Sequence, residues 1–186
     1  MSLLAGSGQR HKTFVSYHHA NDQDYRDSFE AMFADHYDII VSQSVQIGDI
    51  DANLNTEYVR QRIRDEYLRD STVTVVLIGS QTWQRKHVDW EIGSSIRNTR
   101  NNPRSGLLGI ILPTYPRQDT SKYDPYTIPP RLAKNIDCEY AKIYNWSNDP
   151  AEVQEWIHDA FNRRRTVNPD NSYLSFANNR SGERWY

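Results

Sequence analysis

At 186 residues, with a formal net charge of −2, 37% hydrophobic and 12% aromatic residues, the chain is long enough for one domain with a full core and some elaboration. Near-balanced charge argues against a protein that holds nucleic acid by wholesale phosphate neutralisation. The single cysteine, Cys138, excludes an internal disulfide and a cysteine-rich zinc site, and no apolar run approaches the ~18 residues that span a bilayer.

A reducing, cytoplasmic setting is therefore expected, with no nucleic-acid and no membrane partner. Residues 1–10 lack the apolar core of a signal peptide and read as a disordered segment or cloning remnant. A domain over residues 11–165 and an extension over 166–186 follow. Thr13–Tyr17 (TFVSY) is β-branched and aromatic, which predicts a strand. The polar loop His18–Asp24 follows, with Asn21 or Asp22 placed to cap a helix whose apolar residues are Tyr25, Phe29, Met32 and Phe33. Tyr37–Val45 reads as a second strand and Gln46–Asn53 as a polar loop. Asn55 or Thr56 then caps a helix carrying Val59, Ile63 and Tyr67.

Thr72–Ile78 is apolar without alternation, as a central parallel strand covered on both faces requires. The next helix has an inner stripe of Val88, Ile92, Ser95, Ile96 and Thr99, and Asn101–Ser105 stops it. Gly106–Leu112 is a further buried strand. Thr114–Arg131, rich in Pro, Tyr and Asp, reads as a long loop, and Tyr140–Tyr144 as a last strand. Asp149-Pro150 starts a helix with Val153, Trp156, Ile157 and Phe161 aligned, and Arg163–Arg165 suit its negative end, where they are expected to be solvated. The tail from Val167 has few aliphatic residues, so it packs through scattered aromatics or stays mobile. This order predicts an α/β, flavodoxin-like fold: a five-stranded parallel sheet with helices on both faces.

Several chemistries are excluded by what is missing. There is no GxGxxG after the first strand and no GxxxxGK[ST]. The acidic pair and strand-end aspartate of a phosphorylated receiver are replaced by Tyr17-His18-His19 and Gly79-Ser80, and Ser80 lies in IGSQT rather than GxSxG. Adjacent His18 and His19 point different ways on an extended segment, a poor metal pair. What remains is Glu91, an acid beyond the carboxyl end of the strongest strand, where open α/β sheets form their ligand crevice. At ~100° per residue it lies at the edge of the Val88–Ile92–Ile96 stripe and can face that crevice, while Trp90 lies nearly opposite, exposed or against a partner. Taken alone, Glu91 reads first as a first-turn acid favoured by the helix dipole.

TFVSY, a polar loop, and then TVVLIGSQTWQRKHVDWEIGSSI resemble the Toll/interleukin-1 receptor (TIR) pattern, and most closely the bacterial TIR-like domains of the Thoeris anti-phage system, the ThsB type. The likeness runs over residues 12–112. It implies a flavodoxin-like domain that uses NAD as a substrate, with no separate cofactor and no metal. It further implies cleavage at the nicotinamide–ribose bond, a cyclic or conjugated ADP-ribose signal, and an effector protein activated by that product. Self-assembly of the domain is also in keeping with the family. Glu91 matches the family's catalytic glutamate. Where the usual pattern has tryptophan four residues earlier, this chain has His87, and Trp90 directly precedes the acid.

One carboxylate suffices for such chemistry, because nicotinamide departs neutral and the barrier lies in an oxocarbenium-like ribose that a negative charge steadies. Tyr17 and His18 after the first strand, Ser80 at the third, His87 one turn before Glu91, and Asp49 in the loop where TIR domains carry their BB loop are the candidate substrate contacts. Trp83 is expected to pack the loop under the helix. The alternative is a non-catalytic TIR-like module that signals by assembly or binds a nucleotide.

Overall fold

All five strands run parallel, in the order β2-β1-β3-β4-β5. The computed structural model describes residues 10–35, 38–42 and 55–186; the expected loop Gln46–Asn53, with Asp49, lies outside the described residues. The strands are β1 (His11–Ser16), β2 (Ile39–Ser42), β3 (Val73–Ile78), β4 (Gly106–Ile111) and β5 (Ala141–Asn145). Every residue of β3 and β4 is buried, as their unbroken apolar sequences require of central strands. Register is set by pairs such as Val15 with Val75 and Val75 with Leu108.

Helices α1 (His19–Met32), α2 (Thr56–Arg62, continued by a π turn Ile63–Tyr67), α3 (Lys86–Ser95), α4 (Pro130–Asp137) and α5 (Pro150–Thr166) complete the element order. Phe29 and Phe33 at the end of α1 share one core with Val153, Ile157 and Phe161 of α5. Across the sheet, Val88 and Ile92 of α3 pack with Leu132 of α4, and Val59 with Trp90 ties α2 to α3. The layers are those of a flavodoxin-like α/β domain. Among the described residues no helix is long and apolar enough to cross a membrane.

Four local departures from the sequence reading have physical causes. Helix α1 starts at His19, ahead of the expected caps Asn21 and Asp22, because the chain turns into helix directly after β1 and absorbs the irregularity as a kink at Asp22. The stretch read as a loop up to Arg131 ends in α4, which supplies the crossover that parallel β4 and β5 need; its opening Pro129-Pro130 has the fixed φ that suits a first helical turn. Helix α3 stops at Ser95, where the Ser94 and Ser95 hydroxyls bond back to the Trp90 and Ile92 carbonyls. Thr99, expected on its inner stripe, lies in the following loop. Of the three arginines closing α5, Arg164 is not solvated: it is 9% exposed and lies 4.0 Å over the Phe161 ring.

The C-terminal residues form a strap across α3 and α4. Arg131, fully buried, pairs with Asp89 at 2.9 Å and donates to Asn171 Oδ1 at 2.6 Å. Asp89 Oδ2 accepts the Phe176 N–H, and the Trp90 indole donates to the Phe176 carbonyl. Trp90 is therefore 7% exposed and covered by the chain's own tail, not turned to solvent or to another protein as the helical wheel alone placed it.

Candidate functional site

Strand order reverses between β1 and β3, so the connections leaving these strands diverge and open a crevice at their carboxyl ends. One wall is Tyr17, His18 and the start of α1; the other is the β3–α3 connection and the first turn of α3. The crevice is tight at its base. A Cβ on Gly79 would lie 2.5 Å from Asp22 Oδ1, and Thr114 of the β4 connection donates to that same oxygen at 3.1 Å. Asp22 thus joins the ends of three strands. Its carboxyl, 1% exposed, is pushed up from the usual range by burial, against hydrogen bonds from Thr114 and Thr82.

Glu91 sits in the second turn of α3, not the first, and has no exposed surface. Ser16, the last residue of β1, donates to Glu91 Oε2 at 2.5 Å, while Oε1 has no partner among the described residues. Burial pushes the carboxyl up to about 8, although the Ser16 bond pulls the other way. At neutral pH the group in this arrangement is mostly protonated.

His87 lies one turn above Glu91, toward the crevice, since α3 runs antiparallel to the strands. Its Nε2 is 2.9 Å from the Tyr17 carbonyl. A carbonyl can only accept, so Nε2 carries the proton. Burial first, and then the nearby His19, His18 and Arg85, lower His87 to about 4 despite the bond to Tyr17. The ring is neutral and, one helical turn nearer the crevice than Glu91, stands as a roof between that acid's level and the cleft it lines. Tyr17, His19 and His87 follow one another as tilted rings with centroids 4.5 and 4.8 Å apart.

Above this roof is a cleft of about 290 Å³ lined by His18, His19, Arg85, Lys86, His87 and Asn179. His18 is lowered to about 4 by burial, with Arg85 and His19 adding to the effect; His19 is lowered by burial and Arg26. Neutral imidazoles and two cations face the cleft, and among the described residues no carboxylate lines it. Among the described residues no cluster of His, Cys, Asp and Glu is arranged to hold a metal ion. Two other hollows, of about 200 and 330 Å³, flank the Thr114–Thr127 connection. That connection is folded on itself, with the Tyr115 hydroxyl bonded to Thr127 at 2.5 Å.

Of the residues singled out from sequence, His18 and His87 come together in the cleft. Tyr17 is beside them, its hydroxyl donating to Gln23 at 2.6 Å and its carbonyl holding His87. Glu91 lies a turn beneath and lines no part of the cleft. Ser80 is exposed in the turn after β3 and does not line it either. Trp83 packs in the β3–α3 connection with 2% exposure. Sequence reasoning passed over Ser16, Asp22, His19, Arg85, Lys86 and Asn179. The run Arg85-Lys86-His87 at a helix start carried a legible signal for an electropositive pocket; Asn179, brought in by the strap, carried none.

A parallel sheet of this order, with helices on both faces, defines the flavodoxin-like class to which TIR-like domains belong. Residues 14–117 match the family described as Thoeris protein ThsB, TIR-like domain. The match spans more than half of the chain, and the chain belongs to that family, which places it in anti-phage defence. No curated protein matches the chain. The matched stretch holds the second half of β1, then β2, β3, all of α3 and β4; α4, β5, α5 and the strap lie beyond it.

Proposed function

We propose that this domain consumes NAD, cleaving the nicotinamide–ribose bond to make an ADP-ribose-derived signal, cyclic or conjugated, that activates an effector protein. The observation that carries the reading is Glu91: a wholly buried acid beside the switch point of the sheet, with Ser16 on one oxygen and, among the described residues, no partner on the other. A carboxyl kept there against its own desolvation is a functional-site candidate on physical grounds, and the family membership supports the choice of chemistry.

In this mechanism nicotinamide leaves as a neutral base and needs no acid. The ribose left behind carries positive charge, which the Glu91 carboxylate stabilises at close range in a dry site. The cationic nicotinamide ring of the bound substrate also favours the ionised acid, offsetting the burial that holds the proton on in the resting protein. For Glu91 to reach a ribose, the His87 ring must leave the Tyr17 carbonyl and uncover it. Water as the acceptor gives ADP-ribose; a hydroxyl of the same molecule gives a cyclic product.

A second reading draws on that same roof. The cleft as it stands holds no part of Glu91, which favours a non-catalytic module that binds a nucleotide and signals by assembly. Mass spectrometry of nucleotides from phage-infected cells separates the two. An ADP-ribose-derived species present with the wild type and absent with Glu91→Gln supports the enzyme. Protection from phage by both proteins, without such a species, supports the module.

A further inference from the structure

Among the described residues, the cleft above His87 has polar groups left without hydrogen-bond partners. His18 lines it at 7% exposure, and its Nδ1 has no partner among the described residues. His19 Nε2 and Arg85 Nε are likewise buried without a partner among the described residues. Among the described residues neither Arg85 nor Lys86 pairs with a carboxylate; Lys86 Nζ rests 4.8 Å over the Trp90 ring instead. The ten-residue helix α3 starts here with no cap from the Arg85 side chain. Asn179 Oδ1, from the strap, takes the Lys86 N–H at 2.9 Å, leaving the rest of the positive helix end turned to the cleft.

We propose that this cleft is a phosphate-binding site that takes the diphosphate of a dinucleotide or of its ADP-ribose-type product. Arg85, Lys86, the free imidazole nitrogens and the first turn of α3 are the anion's partners, and Asn179 is the outer wall. Naming the ligand as a dinucleotide rests on the reading of Glu91 above; the affinity for a diphosphate does not. The spacing suits both. Glu91 lies about 7.5 Å further along the helix axis than Lys86, the scale of the one ribose that separates the diphosphate from the scissile bond. Asn179 also makes the strap, which lies outside the family match, part of the binding site.

The test is calorimetric titration of the full chain with inorganic pyrophosphate, ADP and adenosine, alongside NMR of the histidine rings. Pyrophosphate and ADP bind, adenosine does not, and the ring signals of His18 and His19 move as pyrophosphate saturates. Replacing both cations, Arg85→Ala with Lys86→Ala, weakens pyrophosphate binding about tenfold or more, as loss of charge-assisted contacts implies. Lys142→Ala, on β5 and remote from the cleft, leaves it unchanged. Thermal unfolding of each variant verifies that it is folded. Absence of pyrophosphate binding, or binding indifferent to the Arg85 and Lys86 replacements, overturns the proposal. Nicotinamide release by the double variant with an unaltered KM also rejects it while leaving Glu91 as the catalytic carboxylate. Pyrophosphate binding that the replacements abolish, in a protein that never releases nicotinamide, keeps the anion site and removes the enzyme.

Discussion

Replacing Glu91 by Gln isolates what the buried acid costs. In the unfolded chain the carboxyl titrates near 4.5, and in the folded protein it is pushed up to about 8. The folded state therefore holds a proton that the unfolded chain releases across that window. Stability is greatest below the unfolded value and falls as pH rises toward the folded one. At about 1.4 kcal/mol per pH unit, neutral pH lies some 2.5 units into the loss, a destabilisation of about 3 kcal/mol. Gln carries no such proton and keeps an oxygen for the Ser16 hydroxyl. Glu91→Gln is thus expected to be more stable than the wild type at pH 7 by about 3 kcal/mol, or about 6–12 °C in Tm for a domain of this size. The gain shrinks toward zero as pH falls to 4.5. Urea unfolding of both proteins at pH 5, 6, 7 and 8 reads the difference directly. A constant offset across that range, or a Gln variant less stable at pH 8 than at pH 5 relative to wild type, refutes the reasoning.

Further perturbations probe the parts around that acid. Ser16→Ala removes the one bond that lowers Glu91, so the loss of stability with pH extends above pH 8, and unfolding titrations show a further cost of about 1–3 kcal/mol for the unsatisfied oxygen. Gly79→Ala drives a Cβ into the Asp22 carboxyl, with a cost of about 1–3 kcal/mol. Adding Asp22→Ala recovers part of that cost in the denaturant midpoint. Arg131→Met leaves Asp89 buried without its cation, costing about 3–5 kcal/mol. It also loosens the strap, so limited proteolysis cuts within residues 171–186 before the rest of the domain.

The sheet was legible because β3 and β4 are unbroken apolar runs and because the α5 stripe of Val153, Ile157 and Phe161 repeats with helical period. α4 was hidden by its entry: Pro129-Pro130 at the end of a Pro- and Tyr-rich stretch reads as loop by composition, yet proline is at home in a first helical turn. The position of Glu91 near a strand end could be read from spacing, but its depth could not. Ser16 of β1 bonds the carboxyl, and the Tyr17 carbonyl holds His87 one turn nearer the crevice, hydrogen bonds between segments some 70 residues apart. Trp90 shows the same limit. A helical wheel places it on the outer side, and only the strap, fixed by Arg131 and Asp89, turns that side into interior. Asn179 enters the cleft through the same long-range packing.

The most direct measurement is nicotinamide release from NAD by the purified protein in its triggered state, with wild type and Glu91→Gln compared at equal folded concentration. The account predicts steady release by the wild type and a loss of about 10²-fold or more in the Gln variant, whose fold is the sturdier of the two at neutral pH. Equal release by both proteins would contradict it.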